Sequence, residues 1–272
     1  MGAKTMLRLG VLNVLNTLPV YYQLLQDPEP LGYLPVLGKV TELNHKLNQG
    51  EIDLSAVSSF EVARNQDLYY ILPDLSVGSD GPVRSIYLFS QVPWEELDRQ
   101  TVLLTAFSLT SVHLVQFLLQ GRGVTYLSEP RGPAQAELLI ADDAIRRFYE
   151  KRDPYVYDLG QLWQEQTGLP FVFALWVVRR EVYATNPQGV LDLYGRLLES
   201  RNQAPLNLKA MAQGHYQGVF PDPLSCEAYL ANLHYELGPR FQAGFLLFQE
   251  KMVELGKLTK VSKPVFLPLA GG

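Results

Sequence analysis

A strand, loop and helix open this chain, and the same order starts afresh in its middle; that restart limits the folds open to it. Leu7 to Leu12 is an apolar run with β character, followed by a polar loop and Pro19, which suits the first turn of a helix. The spacing predicts a helix over Thr41 to Gln49, with a threonine cap, Leu43 and Leu47 on one face and Gly50 as its stop. A strand from Ile52 to Val57 then delivers Ser58 and Ser59 to the start of a helix over Phe60 to Asn65. Such alternation implies a parallel sheet. A strand at Tyr69 to Leu72, a turn-rich loop from Ser76 to Pro82 and a β-rich crossing segment from Ser85 to Ser90 follow. After Pro93 and the acidic turn Trp94 to Leu97, the rhythm begins again. It runs through strand Val102 to Thr105, helix Thr110 to Leu119, strand Leu138 to Ile140, the pair Asp142-Asp143, and an amphipathic segment Trp163 to Thr167 closed by Gly168.

Phe171 to Val178 is apolar on both faces, as expected of a strand entering the middle of a buried sheet. Beyond Asn186 the pattern is helical: Gln188 to Ser200, Leu206 to Gln213, Pro223 to Glu236 and Pro239 to Leu255. The expectation is an α/β protein of two lobes. A discontinuous first lobe takes 1–90 plus 175–272 with the C-terminal helices, and an inserted second lobe takes 91–174. The chain crosses between them twice, which makes a hinge.

Composition excludes several functions. A net charge of −5 leaves no basic excess for a phosphate backbone, and no aromatic RNA-reading motif appears, so nucleic acid is not an expected partner. The single cysteine, Cys226, cannot form an internal disulfide, and no His/Cys spacing suits zinc. The start at Met1 shows no export signal, and the longest apolar stretch, Leu169 to Val178, is too short to span a bilayer. A cytoplasmic, non-membrane protein of open oligomeric state is expected. Nucleophile elbow, phosphate-binding loop and dinucleotide fingerprint are all missing, so the sequence implies no cofactor and no metal.

Three places share one arrangement, a strand ending in small hydroxyl or amide residues at the start of a helix: Asn13 to Thr17, Ser58-Ser59, and Ser108 to Ser111. Free backbone N–H groups and the helix dipole make such a place suited to anions, and neutral side-chain donors add to it. In a doubly wound lobe these ends line the crevice at the carboxyl edge of the sheet. Each hydroxyl taken singly is more often only a helix cap; three such places together point to a ligand cleft. His113 lies near the third place, Asp142 can face the cleft or cap a helix, and Asp158 reads as a cap. His45 reads as solvated, and His215 and His234 as structural.

The segments Gly10-Val11-Leu12-Asn13-Val14-Leu15-Asn16-Thr17-Leu18-Pro19, Gly50-Glu51-Ile52-Asp53-Leu54, Val57-Ser58-Ser59-Phe60-Glu61, Ser79-Asp80-Gly81-Pro82-Val83 and Thr167-Gly168-Leu169-Pro170-Phe171-Val172-Phe173-Ala174, in that order, resemble the chorismate dehydratases of the futalosine menaquinone route. The resemblance implies a fold similar to the periplasmic-binding-protein type II architecture, with a ligand cleft between the lobes. It implies chorismate as substrate, loss of water to give 3-[(1-carboxyvinyl)oxy]benzoate, and no cofactor. By the same resemblance Asn16, Ser58, Ser59, Ser85, Thr110 and Ser111 contact substrate. Two bases stand open: a carboxylate of the substrate oriented by Asn16, or Asp142. A sister enzyme acting on cyclic dehypoxanthine futalosine has a histidine after the strand where this chain has Ala141 and Asp142, and it has a Ser-Pro-Cys-Pro-Asn start that this chain lacks. Small-anion solute-binding proteins and ligand-sensing regulatory domains use the same fold without chemistry, and both readings compete with the enzyme.

Overall fold

Two five-stranded sheets built to one plan carry the molecule. The computed structural model describes residues 6–26, 32–130 and 132–269; the opening segment Met1 to Thr5, which bears on the export reading, lies outside them. The chain begins with β1 (Leu7–Leu12), α1 (Leu18–Gln26), β2 (Tyr33–Gly38), α2 (Val40–Gln49), β3 (Leu54–Ser58) and α3 (Ser59–Arg64). The long strand β4 (Tyr69–Ser79) leads across to β5 (Ile86–Ser90). Next come β6 (Thr101–Leu103), α4 (Leu109–Leu118), β7 (Thr125–Leu127), β8 (Ala136–Ile140), α5 (Ala141–Glu150), β9 (Tyr155–Asp158) and α6 (Leu159–Thr167). The return strand β10 (Phe171–Arg179) is followed by α7 (Arg180–Thr185), α8 (Pro187–His215), α9 (Pro223–Asn232) and α10 (Pro239–Glu254).

The first sheet has the order β2-β1-β3-β10-β4 and the second β7-β6-β8-β5-β9. In each, three strands run parallel and the fourth, β10 or β5, lies antiparallel to both of its neighbours. β10 sits between β3 and β4 and is buried along nearly its whole length, as its two apolar faces require. β5 is likewise an interior strand. The run around Ser85 to Ser90, expected to be a crossing segment, pairs instead with β8 and β9. The chain therefore passes between the sheets just before it, after Ser79, and returns just after Thr167.

Two further differences are set by partners distant in the chain. Ser76 to Ser79 reads as turn because of its small residues, yet these residues extend β4 along β10. Gly78 is needed there, since a Cβ would sit 2.6 Å from the Phe241 ring and 2.8 Å from the Phe171 carbonyl. The helices expected to break between Ser200 and Leu206 form one 29-residue helix through Pro205. Its buried face, Val190, Leu193, Leu197, Ala204 and Met211, packs on both sides of the proline, while Leu206 is 81% exposed. Burial along that face outweighs a proline cost of about 3 kcal/mol.

Beneath the two crossings lies an aromatic cluster. Trp163 of α6 packs edge-on to Phe171 of β10 at 5.0 Å, and Phe171 to Phe248 of α10 at 5.1 Å. α10 approaches so closely that a Cβ on Gly244 would lie 2.0 Å from the Pro170 carbonyl oxygen. Among the described residues, no helix is long and apolar enough to cross a membrane.

Candidate active site

The carboxyl ends of the parallel strands turn toward one another between the sheets. After β1 a 3-10 turn, Leu15–Thr17, carries Asn16. β3 ends on Ser58, the last crossing residue before β5 is Ser85, and the first turn of α4 supplies Thr110 and Ser111. All five line one cavity of ≈ 80 Å³, with Leu12, Ile140 and Phe173 among its apolar walls. No charged side chain is among the described residues that line it. It is a neutral, donor-rich chamber with the amino end of α4 pointed at it, a setting that stabilises anions without a salt bridge.

The hydroxyls differ in what they are already bonded to. Ser58 stands at the N-cap of α3, but its side chain makes no capping bond. Ser108 does cap α4, accepting from the Ser111 N–H at 3.2 Å, and its Oγ lies 3.1 Å from the Ser111 Oγ. Thr110 reaches across to the first lobe, where its Oγ1 accepts from the Phe60 N–H at 3.0 Å, leaving its own proton to donate. Ser85 accepts from the buried Tyr229 hydroxyl at 3.0 Å, so its proton too is directed elsewhere. Burial holds the Tyr229 phenol well above the ordinary tyrosine range, and it serves as a fixed donor. Asn16 differs from all of these, because its Oδ1 is buried and has no hydrogen-bond partner among the described residues. A buried polar atom left unpaired is costly in a folded protein, and among the described residues Asn16 Oδ1 is the one such atom whose residue lines the chamber, where a ligand can supply the missing bond.

Two expected residues stand elsewhere. Ser59 is fully buried and donates to the Val172 carbonyl at 2.5 Å, so it stitches α3 to β10 and does not line the cavity. Asp142 lines two neighbouring hollows at the cleft margin, beside Asn13 and Val14, and not the hydroxyl-lined chamber. Burial raises its carboxyl above the usual range, partly offset by Arg146. The residue before it, Ala141, takes a left-handed φ of 52° and donates its N–H to the Ser85 carbonyl at 2.8 Å. That strained turn lines the chamber and directs Asp142 outward from it.

Asp158 is a helix cap, as its sequence position suggests, accepting from the Gly160 and Gln161 N–H groups. His113 lies on the Phe60 ring at 4.2 Å and is held below its ordinary pKa by burial; it belongs to the contact between lobes. His45 is exposed, His215 bonds the Met211 carbonyl, and His234 packs on Phe241. Sequence reasoning did not find Tyr229, because a tyrosine inside a late helix carries no signal that it reaches Ser85, at a crossing more than a hundred residues earlier.

The model of a family described as menaquinone biosynthesis matches residues 7–254. The chain belongs to the menaquinone biosynthesis family. One relative, the chorismate dehydratase of Thermus thermophilus, is 32% identical over 266 residues, covering 90% of this chain and 94% of its own. A second enzyme of the same organism, 1,4-dihydroxy-6-naphtoate synthase, is 27% identical over 84% of each chain. Among solved structures, the periplasmic aliphatic sulphonate binding protein of Escherichia coli superposes with a TM-score of 0.67 at 16% identity, covering 98% of this chain and 94% of its own. That likeness shows the fold: a two-lobed, periplasmic-binding-protein-like α/β architecture, which this menaquinone biosynthesis family member uses as an enzyme.

Proposed function

We propose that this protein is a hydro-lyase, a chorismate dehydratase that removes water from chorismate to give 3-[(1-carboxyvinyl)oxy]benzoate, acting in the cytoplasm without a cofactor. The buried, unpartnered Oδ1 of Asn16 in a chamber ringed by neutral hydroxyls carries this reading, and the near full-length kinship to a chorismate dehydratase supports it.

The substrate presents two carboxylates and a hydroxyl on a ring that becomes aromatic once the C3 proton and the C4 hydroxyl leave. The elimination is driven by the substrate, so the protein's task is to align and to stabilise. Thr110 and Ser111 at the amino end of α4 hold one carboxylate, with Ser58 and Ser85 as further donors. Asn16 donates its Nδ2 hydrogens to the other carboxylate and so orients it over C3, while its Oδ1 is left to accept from a donor such as the substrate hydroxyl. That carboxylate takes the C3 proton, the C–H electron pair becomes the new ring double bond, and the C4–O bond breaks as the hydroxyl receives that proton from the carboxyl group and departs as water, which leaves the carboxylate ionised again. A chamber closed to bulk water strengthens each of these hydrogen bonds.

Asp142 as the base is supported less well, because it faces the outer hollows. The sister chemistry on cyclic dehypoxanthine futalosine has less support, because Ala141 and Asp142 stand where the sister enzyme's histidine is expected, and identity to the 1,4-dihydroxy-6-naphtoate synthase is lower than to the chorismate dehydratase. Purified protein incubated with chorismate should yield a product one water lighter, identified by mass and by its aromatic absorbance. Chorismate bound and returned unchanged would assign the cleft to solute binding instead.

A further inference from the structure

A second cavity, ≈ 500 Å³ and lined by none of the residues of the hydroxyl-lined chamber, falls within the 300–1,000 Å³ typical of small-molecule sites. An unbroken arc of rings forms its wall. Tyr87 of β5 stacks on Phe148 of α5 at 5.0 Å and 8°, Phe148 meets Tyr149 edge-on at 5.4 Å, and Tyr149 meets Phe220 at 6.1 Å. Phe220 packs on Tyr229 of α9 at 5.4 Å, which closes the arc. Three of these rings belong to the second lobe and two to the C-terminal segment, so the cavity spans both.

A single cation stands at this wall among the described residues. Arg84 lines the cavity with its side chain exposed, and its guanidinium has no hydrogen-bond or ion-pair partner among the described residues. Its backbone is fixed in the left-handed region, φ 60°, by an N–H donated to Asp158 Oδ2 at 2.7 Å. The Asp158 carboxylate beside it is occupied by four backbone N–H groups, those of Val83, Arg84, Gly160 and Gln161. Two further polar side chains of the wall are engaged as well: Gln161 donates to Glu165, and Ser225 to Asp222. Arg84 is thus the charged group left to recognise an anion, and the rings offer flat faces beside it.

We propose that this cavity is a second ligand site that takes a planar aromatic carboxylate, its ring against Tyr87, Phe148 and Phe220 and its carboxylate on Arg84. Tyr229 belongs to the wall and also donates to Ser85, so the second site and the chamber are joined through one side chain.

Calorimetric titration with 2-naphthoate tests this independently of any turnover. The wild type and Asn16→Ala should bind it alike. Arg84→Gln should weaken binding about tenfold or more, as loss of one charge-assisted contact implies. Phe148→Ala, at a ring 40% exposed and therefore tolerant of truncation, should weaken it as well. Cyclohexanecarboxylate, with the same charge and no flat ring, should bind at least about tenfold more weakly than 2-naphthoate. No binding by the wild type overturns the proposal. So does binding that Asn16→Ala abolishes while Arg84→Gln and Phe148→Ala leave it unchanged, since the ligand then sits between the sheets.

Discussion

Asn16→Ala and Asp142→Asn weigh the two candidate bases against each other at the level of single side chains. If a substrate carboxylate takes the proton, Asn16→Ala removes its alignment and should slow single-turnover chemistry by about 10²- to 10³-fold, the usual cost of one preorganised polar group. Asp142→Asn should cost well under the roughly 10²-fold that loss of a general base carries. A reversal of that order, with product binding intact in both variants, would make Asp142 the base. The same substitution has a stability signature with a definite sign. Burial raises the Asp142 pKa in the folded state, so its carboxylate is harder to ionise there than in the unfolded chain. Its charge therefore opposes folding above the raised folded value. That cost shrinks as pH falls and is gone below the ordinary 3.8. Asp142→Asn should accordingly raise Tm at pH 7 and leave it unchanged in strong acid, as thermal melts across pH will report.

At the level of elements, the packing of α10 on the crossing sets a sharp requirement. Gly244→Ala places a methyl group against the Pro170 carbonyl, a backbone atom just before β10. Neither the helix nor the strand entry can move without disturbing the Trp163, Phe171 and Phe248 cluster. The variant should lose about 1–3 kcal/mol of stability in denaturant unfolding. This close approach was not legible in the sequence, where Gly244 is one small residue within a helix. What was legible followed from local pattern. The apolar β10, the strand-to-helix turns at Ser58 and Thr110, and the Gly50 and Gly168 helix stops all depend on neighbours in the chain. Features decided by distant partners were missed. Ser76 to Ser79 is strand because β10 pairs with it, α8 continues through Pro205 because its inner face is buried, and the edge strands β2, β7 and β9 are short runs recruited by their sheets. The site divides the same way: Asn16, Ser58, Thr110 and Ser111 converge as the strand-end rule implies, Ser85, which stands just ahead of β5 and was marked only by resemblance, joins them, and Ser59 and Asp142 are turned away by a bond to Val172 and by the strained Ala141.

At the level of the whole molecule, the chamber between the sheets is too small as it stands to admit a substrate from outside. Its ≈ 80 Å³ falls below the 300–1,000 Å³ usual for ligand sites. Entry requires the lobes to part about the two short connections that follow Ser79 and Thr167. The contact that must break is identifiable: the Phe60 N–H bond to Thr110 Oγ1 and the Phe60 ring on His113. Since that amide belongs to one lobe and its acceptor to the other, hydrogen exchange at Phe60 reports closure directly. Saturation with 3-[(1-carboxyvinyl)oxy]benzoate should slow exchange at Phe60 and reduce the radius of gyration seen by X-ray scattering. Thr110→Val, which keeps the shape and removes the acceptor, should speed exchange there while leaving the helix amides of α10 unaffected. Acid should act in the same direction as the substitution. Burial lowers the His113 pKa in the closed form, so the stability of that form is complete above the ordinary 6.5 and declines as pH falls through it, because opening lets the imidazole take a proton. Identical Phe60 exchange and identical scattering with and without product would mean that the lobes do not part, and the route into the chamber would have to be sought through the hollows beside Asn13 and Asp142.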